Sequence, residues 1–171
     1  MLMLKKTFFL DRDGVINIDN GYITDYSQFI FTDGSCEAIK LLNKKNYLVI
    51  IITNQAAIGK SLMSENDLFI IHKKMKNDLF KNCYAVVDDI FYSPYYKESK
   101  ISLYSQNQND RKPNNGLFLK AIKKWNVDIN NSFCIGDKLT DKIASEKTNI
   151  KFFFKKNISL YDQVKDIIFN R

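Results

Sequence analysis

Five consecutive apolar residues, Leu48-Val49-Ile50-Ile51-Ile52, four of them β-branched, run directly into the polar triad Thr53-Asn54-Gln55. Successive side chains of an extended chain point to opposite faces, so this run has no polar face to offer to water. A strand that is apolar on both sides must be covered on both sides, as in a parallel sheet sandwiched between helices. The rest of the chain has what such a sandwich needs. Short apolar runs at 7–10, 86–92, 132–135 and 150–154 read as further strands. The stretches 35–45, 64–81, 116–125, 138–147 and 161–169 have helical period and read as the crossover helices between them. The expected fold is α/β: a single Rossmann-like domain over residues 1–171, with a central, mostly parallel sheet flanked by helices.

Two stretches break the alternation. Residues 15–33 carry Gly21, Tyr22, Phe29 and Phe31 without helical period, and suggest a small β-like flap anchored by aromatics rather than a large cap domain. Residues 93–113 are polar and long for an unstructured connection, which points to a functional or mobile loop.

Composition excludes several classes. With 45% apolar residues, 6 Gly and 2 Pro in 171 residues, the chain is neither disordered nor collagen-like. No apolar run reaches the roughly 18 residues of a membrane span, and Lys5 and Lys6 interrupt the N-terminal stretch, so a cytoplasmic protein without a membrane partner is expected. Cys36, Cys83 and Cys134 are odd in number, far apart and lack CxxC spacing. They read as reduced, structural thiols. The formal charge of +7 is scattered over helix faces and not interleaved with aromatics, so no nucleic-acid partner is expected. His72 reads as an ordinary surface or rim residue, and Trp125 as core.

The chemistry-bearing clusters sit at strand ends. In Phe8-Phe9-Leu10-Asp11-Arg12-Asp13-Gly14-Val15 an apolar strand breaks into a turn, with Asp11 and Asp13 two residues apart and able to converge where open α/β sheets bind ligands. Convergent carboxylates repel unless a hard cation such as Mg²⁺ lies between them or one is protonated. Thr53-Asn54-Gln55 can present a hydroxyl and amides to a phosphate. Arg111-Lys112-Pro113 offers positive charge before a helix, and Gly136-Asp137-Lys138-Leu139-Thr140-Asp141 adds an acidic pair after another strand.

This ordered set resembles the four motifs of the haloacid dehalogenase superfamily of phosphohydrolases. The DRDGVIN, Gly21-Tyr22, TNQ, RKP and GDK segments together resemble the D-glycero-D-manno-heptose 1,7-bisphosphate 7-phosphatase family, which also contains histidinol-phosphate phosphatase domains. The resemblance implies Asp11 as the nucleophile that forms an aspartyl-phosphate, and Asp13 as the general acid and base. It implies Mg²⁺ on Asp11, the Asp13 carbonyl and Asp137. Thr53, Asn54 and Lys112 would lie on the phosphoryl group, with Lys138 in support and Asp141 orienting Lys112 or the metal shell.

The family's loop before RKP usually carries four cysteine and histidine ligands to a structural zinc. Here that loop reads Ser93-Pro94-Tyr95 and Gln108-Asn109-Asp110, so no structural zinc is expected. Lys60 stands where the family has an arginine, and Lys60 and Arg111 are the nearest spare cations for a second, remote phosphate. The implied substrate is a small phosphorylated sugar, a heptose bisphosphate of surface-polysaccharide precursor synthesis, handled by a monomer. The alternatives are histidinol phosphate, a nucleic-acid 3′-phosphate and a silent phosphate-binding module.

Overall fold

The computed structural model describes residues 3–170. Its strands are β1 (Thr7–Leu10), β2 (Leu48–Asn54), β3 (Asp89–Ser93), β4 (Phe133–Gly136) and β5 (Lys151–Phe154). Its α-helices are α1 (Ser35–Lys44), α2 (Ala56–Gly59), α3 (Glu65–Cys83), α4 (Ser102–Gln106), α5 (Gly116–Trp125), α6 (Leu139–Glu146) and α7 (Leu160–Phe169). The strands form one sheet in the order β3-β2-β1-β4-β5, and every neighbouring pair is parallel.

Alternation along the strands divides the core. Phe8, Leu10, Val49 and Ile51 pack in one layer with Ile39 and Leu42 of α1, Leu68, Ile71 and Met75 of α3, and Val164 of α7. Phe9, Ile50, Ile52 and Cys134 lie in the other, with Leu117, Phe118 and Ala121 of α5 and Ala144 of α6. The β2 run is thus covered on both faces, as its composition requires. Beyond Ile52 the strand continues through polar residues, because Thr53 and Asn54 still pair with Tyr92 and Ser93.

The third strand begins three residues later than the apolar run suggests. Ala85 and Val87 are buried, but Asp88 closes the approach by exchanging bonds with Val49. The Asp88 N–H donates to the Val49 carbonyl, and the Val49 N–H donates to Asp88 Oδ2 at 2.8 Å.

The segment expected as a β-like flap forms only isolated bridges, Asn17 with Phe31 among them, and a 3₁₀ turn at Tyr26–Gln28. Phe29 and Phe31 anchor it edge to face at 5.1 Å, whereas Tyr22 is exposed. The 93–113 loop contains α4 and is tied back to α3. Tyr92 and Tyr104 hydroxyls donate to the two oxygens of Glu65, at 2.6 and 2.9 Å.

The cysteines correct the expectation of free thiols. Cys36 of α1 and Cys83 at the end of α3 form a disulfide across 47 residues of sequence, with Cα atoms 6.1 Å apart. Only the packing of α1 on α3 brings them together, and spacing carries no trace of that. Cys134 is free and buried. No helix of the described residues is long and apolar enough to cross a membrane.

The chain leaves β1 toward β2 on one side, while β4 lies on the other. The crevice at the carboxyl ends of β1 and β4 is therefore the point where the sheet order reverses, the place where open α/β sheets bind ligands.

Candidate active site

Asp11 follows β1 directly and is only 8% exposed. Lys112, 4% exposed, is brought to it by a loop nearly sixty residues beyond β2. The side chain of Asn54 fixes that loop: its Nδ2 donates to the Lys112 carbonyl at 3.0 Å, and its Oδ1 accepts from the Lys112 N–H at 3.1 Å.

An ammonium has three protons to give, and that of Lys112 meets three acceptors. They are Asp11 Oδ1 at 2.8 Å, Asp141 Oδ1 and the Ile52 carbonyl at 2.7 Å. Burial alone would lower the Lys112 pKa, but the Asp11 and Asp141 carboxylates outweigh it and hold the group above the ordinary lysine range. Asp141, on the first turn of α6, also accepts the Lys138 N–H on its other oxygen at 3.0 Å.

Asp11, Asp137 and Asp141 each offer an oxygen within 4.8 Å of the others. Burial pushes the Asp11 carboxyl up to about 7, opposed by Lys112 and reinforced by Asp141. Asp137 is also raised, first by burial, with Lys138 opposing and Asp141 adding. Asp137 Oδ1 is buried without a hydrogen-bond partner. Two of the three carboxylates share one buried ammonium, and the third keeps an orphaned oxygen within reach of them. This hard, anionic donor set fits Mg²⁺. Close approach of the β1 and β4 ends is made possible by Gly14, whose φ is +83° and where a Cβ would come within 2.4 Å of Asp137 Oδ2.

The Asp13 carboxylate is turned away from the cluster: Asn17 Nδ2 donates to its Oδ1 at 3.0 Å and Gln55 Nε2 to its Oδ2 at 2.8 Å. Arg12 grips it with Nε and Nη2. That leaves the Asp13 carbonyl, the group the resemblance implies, as its offer to a cation, while Asp141 lies in the same carboxylate cluster with its oxygens on Lys112 and the Lys138 N–H.

Gln55 also donates to Thr53 Oγ1 at 2.8 Å, which leaves the threonine proton for another acceptor. Lys138, expected in support, reaches Asp19 Oδ2 at 2.7 Å and stands 3.8 Å from Asp137. Asp13, Asn54, Gln55, Tyr22 and Lys138 line a cavity of about 140 Å³ at the mouth of the crevice.

The two outer cations lie apart from this cluster. Arg111 Nη1 donates to the Tyr95 carbonyl at 2.9 Å. Lys60 sits over the rings of Tyr22 and Tyr96, at 5.3 and 4.5 Å, beside a separate cavity of about 320 Å³.

Sequence reasoning missed three participants. Gln55 was legible only as part of a polar triad. Arg12 is 1% exposed, and His72 is 8% exposed rather than on the surface. Their contact joins residues 60 apart in sequence, and no local signal announces it.

Comparison with known proteins agrees with this geometry. The family model of polynucleotide kinase 3 phosphatase matches residues 7–163. The D-glycero-beta-D-manno-heptose-1,7-bisphosphate 7-phosphatase of Pasteurella multocida is 40% identical over 86% of this chain and 79% of its own length. The Haemophilus ducreyi protein of the same name is 40% identical over 87% and 81%. The D,D-heptose 1,7-bisphosphate phosphatase from B. bronchiseptica, solved with magnesium and phosphate, shares the fold at a TM-score of 0.78 and 24% identity, over 97% of this chain and 99% of that one. With these relatives and this arrangement of carboxylates and lysine at the sheet's switch point, the chain belongs to the haloacid dehalogenase-type phosphatases matched by the polynucleotide kinase 3 phosphatase family.

Proposed function

We propose that the phosphatase removes one phosphate from a sugar carrying two, namely the 7-phosphate of a heptose 1,7-bisphosphate. The observation that carries the chemistry is the buried Asp11 held by Lys112 beside Asp137 and Asp141. The substrate class rests on the names of the relatives.

In this reading Asp11 attacks phosphorus. The P–O bond to the sugar breaks as the Asp11–P bond forms, and Asp13 gives its proton to the leaving oxygen. Water then attacks the aspartyl-phosphate, Asp13 takes back a proton, and phosphate leaves with Asp11 restored. Thr53 donates to a phosphoryl oxygen, as does Asn54 with whatever donor its bonds to Lys112 leave over, while Lys112 fixes the orientation of Asp11. Asp11, Asp137 and the Asp13 carbonyl would hold Mg²⁺, which when bound cancels the repulsion between a carboxylate and a phosphate dianion.

Arg111 and Lys60 lie outside this set and are the cations left for the remote phosphate. Binding energy spent there would align the reacting end. Arg111→Ala should therefore raise KM for the bisphosphate well above its effect on a small generic phosphate ester. Equal effects on both would remove the remote-phosphate role.

Asp11→Asn should abolish turnover while the protein remains folded, because the change is nearly isosteric. Activity within about tenfold of wild type would overturn the nucleophile. The family model's name raises a second reading, a nucleic-acid 3′-phosphatase. An oligonucleotide 3′-phosphate hydrolysed faster than the heptose bisphosphate would establish it instead.

A further inference from the structure

We infer that His72 is a positioning residue for the Asp13 carboxylate, acting through the buried guanidinium of Arg12. The inference rests on the reading of Asp13 as the proton donor.

A guanidinium is always charged, has five N–H donors and accepts nothing. Arg12 Nε and Nη2 reach Asp13 Oδ1 at 3.2 and 2.9 Å, and Nη2 reaches Oδ2 at 3.1 Å. Its Nη1 lies 3.2 Å from His72 Nε2. Since Arg12 can only donate, His72 Nε2 must accept. The ring is then neutral, with its proton on Nδ1.

Burial, helped by the positive charges of Arg12 and Lys76, keeps the His72 pKa far below its ordinary value, near 3, in agreement with this tautomer. Tyr92 meets the ring edge on at 6.3 Å, and Glu65, Lys73, Lys76 and Asp89 line the same pocket as His72.

The fork is thus fixed at both ends. If His72 lost its acceptor, a buried charged N–H would be left unpaired. The guanidinium would turn to find another partner, and the plane of Asp13 would turn with it, because three of its bonds come from the same group. Asn17 and Gln55 each hold one Asp13 oxygen, so the carboxylate stays in place and what changes is its tilt. In the first step, transfer to Asp11, a proton donor out of line fails only where the leaving oxygen needs a proton.

The test uses the full chain with Mg²⁺ and two substrates, a sugar phosphate and 4-nitrophenyl phosphate, whose phenolate leaves with little protonation. His72→Phe keeps a ring but removes the acceptor, and His72→Gln restores one. His72→Phe should lower kcat on the sugar phosphate by at least about tenfold, leaving KM and the first-turnover burst of nitrophenolate within about twofold. His72→Gln should recover most of the loss. Equal effects on both substrates, or on neither, would overturn the inference.

Asp13→Asn is the control. If it lacks the same dependence on leaving group, the reading of Asp13 fails, and the inference with it.

A second measurement needs no variant. Nitrogen NMR of the chain's single histidine should show an unprotonated Nε2 throughout about pH 5 to 8. A protonated Nε2, or a ring that titrates in that range, would overturn the inference even if His72→Phe did not fold.

Discussion

Asp141 serves two elements with two oxygens: one grips the Lys112 ammonium and the other caps the start of α6. Gly136 makes room for it, since a Cβ there would come within 2.4 Å of the Asp141 Cβ. The same economy holds at Arg12, whose one guanidinium serves Asp13 and His72. The histidine has a consequence for stability. Its pKa is about 3 in the folded protein and about 6.5 in an unfolded chain. Between those values the unfolded chain binds more protons, so stability is lost as pH falls from about 6.5 toward 3, by up to about 1.4 kcal/mol per pH unit. Urea unfolding at pH 7 and pH 5 should show wild type losing about 2 kcal/mol more than His72→Gln over that interval. Carboxylates common to both proteins cancel in the comparison, and parallel pH profiles would contradict the assignment.

At the scale of elements, the disulfide between α1 and α3 ties two helices of the same face of the sheet. Closing a loop of 47 residues restricts the unfolded chain by about 4 kcal/mol in the chain-entropy account. Cys36→Ser, or reduction of the wild type, should lower the unfolding free energy by a measurable part of that amount. Alkylation of the unreduced, denatured protein should label Cys134 alone, and labelling of all three cysteines would show that the pair is not joined.

That bond also shows where the sequence stops being informative. Strands β1 and β2 and helix α5 were legible because apolar runs and helical periodicity are local. The DRDG, TNQ, RKP and GDK clusters were legible because each lies at the end of such an element. The Cys36–Cys83 pair, the Arg12–His72 contact and the Gln55 bond to Asp13 are made by packing of segments distant in the chain. Helices α2 and α4 are too short to build a periodicity, and the polar composition of α4 resembles that of the loop around it.

For the molecule as a whole, the carboxylates at the end of β1 and the start of the α6 segment are a cluster of negative charge, only partly offset by Lys112, in a chain of formal charge +7. A cation that binds them in the folded state stabilises it by mass action, about 2.7 kcal/mol at a hundred times its dissociation constant. Mg²⁺ should therefore raise Tm in the wild type, and Asp137→Asn should flatten that response without a comparable loss of Tm in the metal-free protein. A rise unchanged in Asp137→Asn would place the ion elsewhere. Zinc is a separate matter. Residues 93–113 contain neither Cys nor His, so elemental analysis should find no stoichiometric zinc, and one zinc per chain would refute this. The Glu65 bonds to Tyr92 and Tyr104 tie the loop to α3.

The side chain of Asn54 exchanges two hydrogen bonds with the backbone of Lys112, much as a neighbouring strand would. The ammonium therefore takes its address from the end of β2 and not from the chain that leads up to it. Insertions, deletions or rewriting in the loop between β3 and Arg111 can reshape the wall that a substrate meets while the lysine stays in register with Asp11. A loop can be tethered from its own side, as Tyr104 tethers this one to Glu65, and be rebuilt there while the buried ammonium keeps its place beside Asp11.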